Sequence, residues 1–410
     1  MSRRGSDVVV VGAGVVGAAL SLALARGGRR VALVEAREPT PWSMTATPDL
    51  RVFAISPASA ALFDALGVWT AMCGARAQPY RHMRVWDAAG GADLRFDASE
   101  QGQPALGWIV EQSLLQHVLW QALLAEPGIV RHCPDRVHGL EQHEDGVEVS
   151  LESGLRLRAA LAVAADGADS RLRELAGVEV DRHDYRQRGV VAFVTTESGH
   201  GDTAWQRFLP GGPLAFLPFA DGRCSIVWTL PDAEAERVLQ LPDDAFLREL
   251  ERAFDARLGA LTATSRRAAF PLRRQLAREF LRGRVLLAGD AAHVVHPLAG
   301  QGVNLGLQDV ASLRDALAAT GDGRAVAGGH GMRGTARDAS TSDIPLPALR
   351  RHARARRSDS TVAAFAFDAI NRGFSNDRLL PTLLRGHALG LVDRAAPLKQ
   401  LLARHAAGWL

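Results

Sequence analysis

At 410 residues the chain is too long for one typical core, so two domains or a discontinuous pair are expected. Hydrophobic residues make up 47% of it, yet no apolar run approaches the ~18 residues of a membrane-spanning helix, which argues against a helical membrane protein. A formal net charge of +3 is too small to argue for a nucleic-acid partner.

The apolar run Val8–Val11 follows almost directly on Met1, leaving no room for a signal peptide, so a cytoplasmic location is expected. This run reads as a short buried strand. Gly12-Ala13-Gly14-Val15-Val16-Gly17 follows at once, Ala18 to Ala25 continue as a helix, and Val31–Val34 form a second strand ending at Glu35. The order is that of a βαβ dinucleotide fingerprint. Gly12 makes the tight turn, Gly14 admits a pyrophosphate to the backbone, and Gly17 lets helix and strand pack closely. Glu35 is placed to accept hydrogen bonds from a ribose hydroxyl pair. A carboxylate there repels a 2′-phosphate, so the AMP half of FAD or NAD fits better than NADP.

With this glycine content a chain of this length produces roughly 0.4 Gly-x-Gly-x-x-Gly matches by chance. Gly329-His-Gly331-Met-Arg-Gly334 is such a match: it has no clear strand before it and no apolar helix after it. It reads as loop.

Downstream, residues 39–48 read as loop, Arg51 precedes a helix from Pro57 to Leu66, and residues 80–97 read as strands with a turn at Ala89-Gly90-Gly91. Arg51 follows the βαβ unit closely enough to reach a ligand's phosphates. Gln112 opens a helix with its amide free to bind. Residues 137–165 alternate as strands, the last ending in Asp166-Gly167, at the carboxyl end where α/β sheets bind ligands. Between about Arg182 and Phe270 the pattern becomes antiparallel strand (190–196, 205–209, 215–219, 225–230) with a helix from Asp244 to Phe254, a second domain able to wall a pocket.

Residues 284–309 then read as strand, acid and glycine-rich loop leading into helix: Val285–Ala288, Gly289-Asp290, Pro297, Gly300 and Gly302, and a helical pattern after Asn304. Backbone N–H groups at that helix start suit an electron-rich, hydrogen-bond-accepting ligand. Residues 320–347 read as a polar mobile loop, and 349–371 and 379–407 as helices. From Gly321 onward Lys and Arg total 14 against 7 Asp and Glu. The densest run, Arg350 to Arg357, reads as a solvated helix face or as an attraction to an anionic membrane surface. Cys73, Cys133 and Cys224 form no Cys-x-x-Cys pair and read as reduced core thiols, and His293 and His296 lack a zinc-type ligand cluster, so no metal is expected.

Gly12-x-Gly14-x-x-Gly17, Asp166-Gly167 and Gly289-Asp290, in this order, resemble the class A flavoprotein monooxygenases, the family of para-hydroxybenzoate hydroxylase. Asp49-x-Arg51-x-x-Ala54, Val110-Glu111-Gln112 and the run from Gly289 to Gly306 (including His293, His296-Pro297 and Gly300-Gln-Gly302-x-Asn304) resemble its ubiquinone-biosynthesis hydroxylases. Phe374-Ser-Asn-Asp377 and Gly390-Leu-Val-Asp393 resemble the same branch.

The resemblance implies an α/β fold: a Rossmann-like FAD-binding domain (1–75, 104–181 and 271–319) with an inserted, mixed but largely antiparallel substrate domain (76–103 and 182–270). A flexible loop (320–348) and a C-terminal helical region (349–410) follow. It implies FAD as cofactor, contacted by Gly12, Ala13, Gly14, Val16, Gly17, Glu35, Arg51, Gln112, Asp166 and Asp290, with Pro297 against the isoalloxazine and the backbone from Gly300 through Gly302 and Val303 to Asn304 on the ring's pyrimidine edge. Asp166 is tied in the family to nicotinamide cofactor use. The reaction implied is hydroxylation of a prenylated phenol or quinol ring by O₂ through a flavin hydroperoxide, with NAD(P)H or a reduced electron-transfer protein as transient donor. His296 is the candidate for modest base help, or a histidine that merely packs the loop. Other ubiquinone-biosynthesis proteins and a peripheral membrane surface are the expected partners. Another ring or alkene monooxygenase, and a non-catalytic flavin-binding subunit, stay open. A flavin halogenase does not, because its Trp-x-Trp-x-Ile-Pro signature and its lysine are missing: Lys399 is the sole lysine.

Overall fold

The computed structural model describes residues 5–88, 93–296, 302–322 and 344–374. Pro297, Gly300, the Gly329–Gly334 match, the turn at 89–91 and the expected helix at 379–407 lie outside these residues.

Among the described residues, a six-stranded sheet carries the first half of the architecture. Its centre is β1 (Val8–Val11), joined through helix α1 (Val15–Arg26) to β2 (Val31–Val34) on one side. On the other side it pairs with Leu161–Ala164, which pairs in turn with Val285–Leu287. All four strands are buried throughout, the expected state of parallel strands covered by helices on both faces, and this is why they read as unbroken apolar runs. The register is parallel and unshifted: Val11 lies beside Val34 and Ala164, and Ala164 beside Leu287. The loops that follow these four strands therefore leave the sheet from one edge.

The second half is a nine-stranded sheet, within the expectation of four or more strands. Its spine is the long strand Val180–Thr196, flanked by Cys224–Pro231 and Ala268–Ala277. The pairing is antiparallel except for Thr203–Leu209, which runs parallel to His82–Asp87 and so draws an earlier piece of chain into this sheet. Alternation splits the aromatic residues between its two faces. Phe216 and Trp228 pack under the helices Asp232–Gln240 and Asp243–Ala253. Leu217 and Phe219 turn the other way, joining Val191 and Phe193 against Leu50, Ala54 and Ile109 of the first half. The Asp232–Gln240 helix escapes a sequence reading because only Ala235 and Val238 of it are buried.

Two helices close the described chain. The first, Gly302–Asp322, runs past the expected boundary, and the second spans Leu346–Phe374. Helical periodicity divides the basic run of the second: Arg350, Arg351, Arg354 and Arg357 are exposed, whereas His352 and Arg356 are buried. The reading of the whole run as one solvated face is thus corrected. Only Cys224 of the three cysteines is a core thiol, since Cys133 is half-buried and Cys73 exposed. No helix among the described residues is long and apolar enough to cross a membrane.

Candidate cofactor and substrate site

The shared carboxyl edge of the parallel sheet gathers Gly12–Gly17, Glu35, Asp166 and Gly289-Asp290, which are far apart in sequence. Gly12 sits at φ +99°, and a Cβ there would fall 2.4 Å from the Ala165 carbonyl oxygen. A Cβ on Gly17 would fall 2.0 Å from the carbonyl oxygen of Gly12, so turn and helix exclude any larger residue at either position. In front of Gly14 there is nothing within 4 Å, an opening onto the start of α1. The helix is capped by the Gly14 backbone alone, with no side-chain cap. Its first N–H groups, Val15 to Gly17, have no intrahelical acceptor and carry the positive end of the helix dipole. A pyrophosphate fits that opening.

Glu35 Oε2 accepts the Ala13 N–H at 2.6 Å and Oε1 the Arg37 N–H at 3.2 Å. A carboxylate offers about four lone-pair sites, so capacity is left for ribose hydroxyls. The Val16 side chain turns inward: its methyls lie 3.1–3.2 Å from where a Cβ on Gly289 would sit, and 2.6 Å from one on Gly306. Its side chain thus packs the fingerprint helix onto the Gly289 turn, leaving its N–H as the group turned to a ligand.

Asp290 is exposed in the short 3₁₀ turn Gly289–Ala291 and takes no hydrogen bond among the described residues. Asp166 is more enclosed. One oxygen accepts the Leu172 N–H at 3.2 Å, the other is buried without a partner among the described residues, and burial pushes its carboxyl up from the usual range. That orphaned oxygen is a ready acceptor for a hydroxyl.

Asp309, absent from the sequence-based candidates as a site residue, anchors the Gly289 turn from behind. Its Oδ2 accepts the Gly289 N–H at 2.9 Å and His293 Nε2–H at 2.7 Å, and its Oδ1 accepts Arg356 Nε–H at 2.7 Å. Burial alone would push this carboxyl up, but His293 and Arg356 outweigh it and bring it down to about 2. Arg356 also donates to the Leu305 carbonyl at 3.2 Å. The Leu346–Phe374 helix is thereby tied to the turn that presents Asp290. Nothing in the local pattern of Arg350–Arg357 marks one arginine as buried, because its partner lies 47 positions earlier.

A second cluster brings Arg51, Gln112 and Asn304 together around the strand Val52–Ile55. The Gln112 N–H donates to the Arg51 carbonyl at 2.9 Å, while the Gln112 side-chain oxygen is buried without a partner among the described residues. The Arg51 guanidinium is exposed, 5.4 Å from the Phe53 ring. Asn304 is 1% exposed, and its side chain is used up inside the protein: it accepts from Ser56 N–H at 3.0 Å and Ser59 hydroxyl at 2.8 Å, and donates to the Ala54 carbonyl at 2.8 Å. Only its backbone is left for a ligand. Gly302, with open space before it, and buried Val303 begin the helix just beyond the loop. Glu111 braces this cluster, accepting the Asp49 N–H at 2.8 Å and facing Arg76 Nε at 3.0 Å.

His296 is 1% exposed, with neither ring nitrogen hydrogen-bonded among the described residues. Burial draws its pKa down to about 4 against the opposing pull of Asp368, so the ring is neutral near pH 7. A base that weak takes a phenolic proton poorly, which favours hydrogen bonding over general-base work. Among the described residues no group of three or more His, Cys, Asp and Glu could hold a metal ion. The unsatisfied oxygens of Gln112 and Asp166, the opening at Gly14 and the free carboxylate of Asp290 fit FAD, a ligand with a pyrophosphate and a row of hydroxyls.

Comparison with known proteins agrees with this geometry. The family described as FAD binding domain matches residues 5–340. The 3-demethoxyubiquinol 3-hydroxylase of Escherichia coli is 37% identical over 410 residues, covering 100% of both chains. The ubiquinone hydroxylase UbiL of Rhodospirillum rubrum is 36% identical, covering 99% of this chain and 90% of its own. Among solved structures, p-nitrophenol 4-monooxygenase PnpA from Pseudomonas putida superimposes with a TM-score of 0.75 at 22% identity, over 97% of this chain and 96% of its own, and shares the fold. The chain is therefore an FAD-dependent monooxygenase and belongs to the FAD-binding family of class A flavoprotein monooxygenases, in its ubiquinone-hydroxylase branch.

Proposed function

We propose that this enzyme hydroxylates the aromatic ring of a prenylated phenol or quinol on the route to ubiquinone. The observation that carries this reading is full-length similarity, at 37% identity, to a hydroxylase named for a demethoxyubiquinol. FAD, when bound, supplies the redox chemistry that activates O₂. The chain's own residues bind and orient. Glu35 holds the adenosine ribose, the α1 N–H groups the pyrophosphate, and Asp290 and Asp166 the middle of the cofactor. Arg51, Gln112, Pro297 and the backbone of Gly300, Gly302, Val303 and Asn304 hold the ring end. The apolar cluster of Leu217, Phe219, Val191 and Phe193, packed against Leu50, Ala54 and Ile109, excludes water between the two halves. NAD(P)H or a reduced electron-transfer protein docks transiently as the donor. The cofactor domain comprises 1–75, 104–181 and 271–319, and the substrate domain 76–103 and 182–270. Lipid extracts of a deletion strain are expected to accumulate one prenylated ring intermediate lacking a single hydroxyl, identified by mass spectrometry. An unchanged quinone profile would refute the pathway and favour another class A ring hydroxylation.

We also infer a cytoplasmic enzyme docked peripherally on the inner face of the membrane. The outer face of the Leu346–Phe374 helix presents Arg350, Arg351, Arg354 and Arg357, none ion-paired among the described residues, followed by Val362 and Phe365, 63% and 57% exposed. Near an anionic surface each arginine contributes about 1 kcal/mol. Changing Arg350, Arg354 and Arg357 to glutamate is expected to cut co-sedimentation with phosphatidylglycerol vesicles by at least a hundredfold. Equal sedimentation would make this face a plain solvated one.

A further inference from the structure

Around His296 lies a polar cluster that cofactor binding leaves unused. The Asp368 carboxylate, 3% exposed, accepts from the Tyr185 hydroxyl and from the Arg274 guanidinium. The Tyr185 ring meets His296 edge-on at 5.0 Å and His183 edge-on at 5.0 Å, so three rings stand in a row. Three chain segments meet here: Tyr185 belongs to the spine strand Val180–Thr196, Arg274 to Ala268–Ala277 and Asp368 to the helix Leu346–Phe374. The helix starts beyond residue 340, where the family match ends.

The electrostatic balance limits what this cluster can bind. Arg274 and Asp368 cancel each other, and His296 is neutral, with one donor and one acceptor nitrogen left without a partner among the described residues. Among the described residues of the cluster, a carboxylate finds no unmatched arginine. A ring hydroxyl, itself donor and acceptor, can pair with either nitrogen of a neutral imidazole, donating to the bare one or accepting from the N–H. Leaving such an imidazole buried and unpaired costs more than one ordinary hydrogen bond returns, so occupancy by a hydroxyl is favoured.

We propose that His296 is the subsite for a hydroxyl of the substrate ring, and that Asp368 is a positioning residue that holds the Tyr185 edge against it. This deepens the proposed function and rests on its reading of a phenol or quinol ring as the substrate. The Leu346–Phe374 helix, through Asp368, thus shapes recognition of the ring.

The test uses purified holoenzyme whose FAD content is measured first, titrated with phenol, anisole and benzoate while flavin absorbance is followed. Phenol is expected to bind about tenfold more tightly than anisole, the value of one hydrogen bond, and benzoate more weakly than phenol. His296→Leu should erase the preference for phenol over anisole. Tyr185→Phe, which keeps the ring, and Asp368→Asn should reduce it to about threefold at unchanged FAD content. Equal binding of phenol and anisole by the unaltered enzyme overturns the subsite, as does a preference that survives His296→Leu. Phenol and anisole weakened alike by Asp368→Asn would leave Asp368 a purely structural tie and overturn its positioning role. Flavin-free unaltered enzyme would instead refute the cofactor reading beneath the proposal.

Discussion

An Arg356→Met enzyme is expected to lose about 3–5 kcal/mol of stability, the usual cost of stranding one partner of a buried ion pair. Asp309 is 2% exposed, and without the guanidinium its carboxylate keeps, among the described residues, the Gly289 N–H and His293 as donors. The loss should reach the cofactor as well, because the Gly289 N–H that Asp309 accepts belongs to the turn presenting Asp290. Urea unfolding with and without added FAD measures both effects. The double variant Asp309→Asn with Arg356→Met should recover part of the loss, since the stranded carboxylate is then removed while the amide oxygen can still accept from the Gly289 N–H. A single variant within 0.5 kcal/mol of the parent on a surface-substitution scale would show that the pair carries little. The pH dependence follows the same logic. Asp309's folded carboxyl lies at about 2 against an ordinary 3.8, so its contribution is full above the ordinary value and fades as pH falls through the folded one. Acid unfolding of Arg356→Met should accordingly begin at higher pH.

Asp290→Ala should yield a folded protein purified without yellow flavin. Asp290 is exposed and makes no hydrogen bond among the described residues, so its loss costs the fold within about 0.5 kcal/mol. Its proposed contribution is to a bound ligand: two hydroxyl hydrogen bonds to a carboxylate are together worth about 3 kcal/mol, or a hundredfold in affinity. Visible absorbance of the purified protein and its thermal unfolding separate the two effects. Full flavin retention would remove Asp290 from the cofactor site.

The sequence by itself determined what depends on neighbours along the chain. Val8–Val11 and Val31–Val34 read as strands because every residue of each is apolar and buried. The turn at Gly12 and the close contact at Gly17 need glycine whatever the rest of the molecule does. The class of protein was legible for the same reason, since its motifs are local runs that depend on glycine and carboxylate chemistry.

Tertiary structure alone decided the rest. Glu35, Asp166 and Asp290 share one edge only because their strands align without a register shift. Asn304 looks free in a glycine-rich run, yet its side chain is bound within the core by Ala54, Ser56 and Ser59. Arg356 looks like its neighbours in a basic run and proves to be the one that pairs with Asp309. Asp368, in a stretch read simply as helix, proves to face Tyr185 and Arg274. The physical reason is common to all of these. A backbone conformation is set within a few residues, but the environment of a polar side chain is set by whichever distant segment packs over it, and only burial turns a charge or an amide into a partner.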